Sequence, residues 1–79
     1  MRKRLQNIVK EYPKMYIDEI NFNDNTFEIE VDLWNGEYEE RKDFVKDCEK
    51  VRYRLEEQGF YCAKDAEYSD YIYRLYIII

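Results

Sequence analysis

The chain has no histidine, one serine (Ser69), one threonine (Thr26), one proline and two glycines. Each scarcity closes off a class of chemistry. Nucleophilic catalysis in its common forms sets a Ser, Cys or Thr beside a base, and here the usual base is absent. Phosphate-cradling loops need clustered glycines, whereas Gly36 and Gly59 stand alone. Cys48 and Cys62 are the two cysteines, so the usual four-ligand zinc site built from Cys and His is excluded. Two thiols also fall short of the dense disulfide framework of a small secreted domain and read as reduced, buried side chains. Carboxylates are plentiful, and an acid pair of the glycosidase type is the one remaining catalytic arrangement. A chain of 79 residues hardly builds both a core and a substrate cleft. The expectation is a protein that is not an enzyme and carries no metal and no cofactor.

Long apolar runs are missing too. "MRKRLQNIVK" opens with the basic cluster of a signal peptide, but the apolar stretch of roughly 7–15 residues does not follow. "YIYRLYIII" is the most apolar segment, yet it is about half the ~20 residues a membrane helix needs and contains Arg74. These features predict a cytoplasmic protein with no membrane partner.

Apolar and aromatic residues are well supplied, with nine Tyr, four Phe and one Trp, and this argues for one folded domain over residues 1–79. Leu5, Ile8, Val9 and Tyr12 recur at i, i+3, i+4 and i+7, the pattern of a helix that Pro13 ends. "KMYIDEINF" reads as a strand whose imperfect alternation leaves its faces open. "NDN" at 23–25 is a turn. "TFEIEVDLW" alternates cleanly: Phe27, Ile29, Val31 and Leu33 face one way, and Glu28, Glu30, Asp32 and Trp34 the other. Together these runs predict a β-hairpin.

Asn35-Gly36 suits either a tight turn into a further strand, "EYEER", or a loop into the next helix. That helix is carried by Phe44, Cys48, Val51 and Leu55, with Gly59 as its left-handed cap. "FYCAKD", a turn at "AEYS" and "DYIYRLYIII" complete the chain as a second hairpin. The fold class is therefore α+β in the order α-β-β-α-β-β, a four-stranded antiparallel sheet with two helices packed on one face. In the last strand Tyr71, Tyr73, Leu75, Ile77 and Ile79 share one face, and Ile72, Arg74, Tyr76 and Ile78 the other. A strand apolar on both faces belongs inside the sheet.

The net charge of −5 is unevenly spread: residues 1–16 carry +4 and residues 17–43 carry −8. Glu28, Glu30 and Asp32, spaced about 6.6 Å apart on one strand face, form a line of negative charge. Trp34 lies in register with it as an aromatic anchor, and Glu37, Glu39 and Glu40 extend it past the turn. Such a row is comparable to successive phosphates and would fit the basic groove of a nucleic-acid enzyme. The plain alternative is the polar outer face of an ordinary strand. Small size, acidity and lack of catalytic groups are shared by inhibitors from phages and other mobile elements, including some anti-restriction and anti-CRISPR proteins. The functional expectation is a non-catalytic acidic binding protein of that inhibitor type, acting by nucleic-acid mimicry on a protein with a basic surface. The alternative is a small homo-oligomeric accessory protein, or a nucleic-acid-associated module using its basic first helix. Direct nucleic-acid binding is disfavoured because the acidic row would repel phosphates. Ile72, Arg74, Tyr76 and Ile78 form a second candidate interface, through which a homodimer is the competing reading.

Overall fold

A computed structural model describes residues 1–64 and 71–78. The turn expected at 66–69, and with it Ser69, lies outside the described residues, as do Asp65, Asp70 and Ile79. The elements run α1 (Arg2–Val9), β1 (Met15–Asn23), β2 (Glu28–Asn35), α2 (Arg41–Glu57), β3 (Tyr61–Lys64) and β4 (Ile72–Ile78). This is the expected α+β order. The sheet is antiparallel throughout, with strand order β1-β2-β4-β3. Moving β4 to the front of the string would give β-α-β-β-α-β, the split-βαβ pattern.

Both helices lie on one face. α1 contributes Leu5, Ile8 and Val9 to the core, and α2 contributes Phe44, Cys48, Val51 and Leu55. Beneath them sit Ile29, Val31 and Leu33 of β2, Tyr73, Leu75 and Ile77 of β4, and Cys62 of β3, all buried. β4 thus lies inside the sheet, where its two apolar faces belong. Both cysteines are free and buried.

The uneven alternation of β1 has a physical cause. Pairing with β2 is regular on both sides of Asp18 but shifts between Ile17 and Glu19, a β-bulge of one residue. The extra residue reverses the phase of the strand. Met15, Ile17, Ile20 and Phe22 can then all lie on the helix side, and Tyr16, Glu19, Asn21 and Asn23 on the other.

Two local expectations are corrected, and one open alternative is decided. The first hairpin turns over residues 24–27, and Phe27 does not join the core row of Ile29, Val31 and Leu33. Its backbone takes a left-handed φ of 54° and its side chain is 63% exposed. "EYEER" forms no strand. The Asn35 side-chain carbonyl accepts the Tyr38 backbone N–H at 2.9 Å, while the Gly36 and Glu37 N–H groups both donate to the Lys14 carbonyl. That clamp holds Gly36 so close that a Cβ would stand 2.9 Å from the Lys14 oxygen, so glycine is required there. Finally, Tyr71 is exposed in the turn before β4 and does not share the buried face of Tyr73. Gly59, at φ 95°, caps α2 as its position predicts, with the Phe60 N–H donating to the Leu55 carbonyl.

Two measurements check this core. Ile77→Ala removes a fully buried side chain and should cost about 2–5 kcal/mol in urea unfolding. Phe22→Ala, on the same face but 55% exposed, should cost about 1 kcal/mol or less. Equal losses would mean that the helices cover the hairpin tip. The second concerns pH. Burial pushes the Cys62 thiol up to about 11 and Cys48 higher still. The folded chain therefore keeps protons that the unfolded chain releases above pH ~9, and stability should fall as pH rises beyond that point. Melting curves across this range should steepen their decline in the wild type and flatten in Cys48→Ala.

Candidate protein-interaction surface

The face of the sheet opposite the helices is built from short rows that cross the strands. Register places Tyr16, Trp34 and Ile72 in one row and Glu19, Asp32 and Arg74 in the next. Asn21, Glu30, Tyr76 and Ala63 follow, then Asn23, Glu28, Ile78 and Tyr61. Aromatic and aliphatic side chains thus occupy both ends, with charge between them.

The charged centre is tied together. Arg74 Nε lies 2.8 Å from Asp32 Oδ1 and its second nitrogen 3.2 Å from Oδ2, a two-pronged pair. Glu30 stands on the other side, 3.1 Å from the same Nε. Hydrogen bonding to Asp32 holds the Arg74 guanidinium above the usual arginine range, and Glu30 adds to this. Asp32 is only 5% exposed. The expected line of three free carboxylates is therefore a pair of acids bridged by one cation, with Glu28 beyond the bridge. Glu28 and Glu19 have no ion-pair partner among the described residues.

At one end, Tyr16 and Trp34 stack with ring centroids 6.2 Å apart and planes 18° from parallel. Ile72 flanks Trp34 on β4. The Trp34 indole nitrogen is buried without a hydrogen-bond partner. Ile72, Arg74, Tyr76 and Ile78 are all partly exposed.

Glu37, Glu39 and Glu40 do not extend the row. Glu37 and Glu39 line an open cleft of about 510 Å³ with Lys14, Tyr38 and the α2 residues Asp43, Lys46 and Asp47. There the Tyr38 hydroxyl donates to Asp47 at 2.6 Å, and burial with that carboxylate raises the phenol above its ordinary range. Glu40 pairs with Lys42 at 3.2 Å. Sequence reasoning missed Tyr16 and Glu19, because the bulge that turns them onto this face leaves no periodic signal. Carboxylates of Asp18, Glu19 and Asp32 gather within 4.8 Å around the bulge, but Arg74 already occupies Asp32.

No helix among the described residues is long and apolar enough to cross a membrane. No family model matches the chain, and no curated protein matches it in sequence. Among solved structures, the periplasmic domain of XcpY is similar, with a TM-score of 0.65 at 14% identity over 96% of this chain and 92% of that one. At this identity the likeness establishes the fold. It also corrects the expectation of a cytoplasmic phage or mobile-element inhibitor of the anti-restriction or anti-CRISPR kind. That expectation rested on small size, acidity and missing catalytic groups, whereas the fold is one shared with a periplasmic domain of another protein. The Arg74 bridge removes its second support, since a carboxylate row neutralised at its centre is a poor copy of successive phosphates.

The bridge is open to measurement. Arg74→Gln leaves the buried Asp32 without its cation and should cost about 1–3 kcal/mol in urea unfolding, at the modest end because Arg74 is itself partly exposed. Adding Asp32→Leu should restore much of the loss. A loss that stays undiminished in the double variant would show that Arg74 acts through packing instead of charge.

Proposed function

We propose that this chain is a non-catalytic protein–protein assembly domain that works outside the cytoplasm, as a component of a secretion apparatus. Its open sheet face is the docking surface for a partner with a basic surface. The observation that carries this reading is that face: a Tyr16–Trp34 stack and half-exposed Ile72, Tyr76 and Ile78 surround a charged centre. Aromatic anchors beside polar groups with fixed geometry are the usual makings of a protein interface. The ordered bridge keeps its long side chains in place, which lowers the entropy lost on docking. Unpaired Glu19 and Glu28 at its margin favour a cationic partner. The likeness to the periplasmic domain of XcpY supports the placement. Burial raises both thiols away from the reactive thiolate and supports the non-catalytic reading.

Site-specific photo-crosslinking in the native host tests this directly. A crosslinker at Tyr16 or Tyr76 should trap a protein of the cell envelope, and one at Lys46 on the helix side should not. Trp34→Ala should weaken capture about tenfold or more, as for an interface anchor worth roughly 2 kcal/mol. Adducts formed only from Lys46, or only with cytoplasmic proteins, would overturn the assignment.

A further inference from the structure

The outer side of α1 and the open sheet face carry opposite charge, and each leaves part of that charge unpaired among the described residues. On α1 the buried stripe is Leu5, Ile8 and Val9. Opposite it, Lys3, Asn7 and Lys10 recur at i, i+4 and i+7 and point away from the core. Arg4 and Arg54, the latter paired with Glu11 at 2.6 Å, flank this line along a groove of about 500 Å³ between α1 and α2. Lys3 and Lys10 have no acidic partner among the described residues, and Arg4 donates only to the neutral Gln58 amide at 2.8 Å. The other broad face is the open sheet, with Glu19 and Glu28 unpaired and Glu30 and Asp32 sharing a single arginine.

From this opposition we infer that copies of the chain associate head to tail, the Lys3–Lys10 face of α1 in one copy lying on the open sheet face of the next. The inference rests on the reading of that face as a docking surface and names its occupant as a second copy. Charge complementarity selects the arrangement. A symmetric dimer through the sheet face would set that acidic patch against a second acidic patch, and one through α1 would set a basic patch against a basic one. Head-to-tail contact instead sets cations against carboxylates at every junction. It also adds a helix to the bare side of a sheet that already carries helices on the other. Lys3 and Lys10 stand about 10 Å apart along α1, so together they can reach two separate carboxylates of the sheet. Tyr16 and Trp34 offer ring faces on which a lysine stem and ammonium can lie. Because neither face is used up by its own copy, the contact repeats, into an open stack or, where the rotation closes, a ring.

Sedimentation of the whole chain at low ionic strength tests the arrangement, with Lys3→Gln/Lys10→Gln as the helix-side variant and Glu19→Gln/Glu28→Gln as the sheet-side variant. All four positions are on the surface or half-buried, so both variants should melt as the wild type does. The wild type should form species larger than dimers that dissolve at about 1 M salt, where charges are screened beyond about 3 Å. Each variant alone should be monomeric. Mixed, they retain one intact junction between them and should form a 1:1 complex that grows no further. A wild type that stays monomeric at low salt overturns the inference, as does a helix-side variant that assembles like the wild type. Neither result touches the docking role of the sheet face, which stands or falls on the crosslinks from Tyr16 and Tyr76.

Discussion

The pair between Arg74 and Asp32 joins strands that are 42 residues apart in the chain. Local propensity can form each hairpin, but nothing local decides how the second hairpin lies against the first. That decision is made where β2 meets β4. Sliding β4 by one residue would put Arg74 under the helices and lift Leu75 and Ile77 into solvent. Apolar burial and the bridge therefore select the same register from opposite faces of the sheet. The bridge costs desolvation of a nearly buried carboxylate, which the two-pronged geometry and the remaining access of Arg74 to water offset. It also determines what the open face is: a clamped centre with aromatic ends.

Much of this architecture was legible in the residues. The stripes of α1 and α2, the strict alternation of Glu28 to Trp34 and the double-faced β4 each follow one period, and each forms as that period implies. What could not be read is what breaks a period or spans a distance. The bulge at Asp18 shifts β1 by one residue, and only pairing with β2 reveals which side chains turn with it. Gly36 is held by a carbonyl from residue 14, a contact no window of sequence contains. The same limit explains the misjudged acidic row. Its three carboxylates were seen along one strand, but the cation that binds two of them arrives from β4.

The two long edges of the sheet are unlike. β1 is the longer outer strand, and its bulge places Asp18 and Glu19 at mid-length, so a foreign strand would meet a kink and two acids. β3 is only four residues long. Both are devices that discourage edge-to-edge pairing in a molecule with a strongly β-forming C-terminal strand. Within "YIYRLYIII", residues 75–78, which look hazardous in an isolated peptide, are safe with β2 on one side and β3 on the other.

Residues 24–27 close the first hairpin beyond the reach of the helix layer, where Phe22 and Phe27 are both more than half exposed. Phe27 sits there in a left-handed backbone that bulky residues occupy at a cost of roughly 1–3 kcal/mol, with no core contact in return. The tip therefore belongs to the fold only through its two strands. That makes it the place where the chain can be rewritten most freely. An epitope, a metal-binding tag or a short domain spliced between Asn23 and Glu28 would leave the core, the bridge and both broad faces as they are. The same freedom lets a longer loop arise there by insertion, giving this small scaffold an arm that its 36 Å long axis does not yet have.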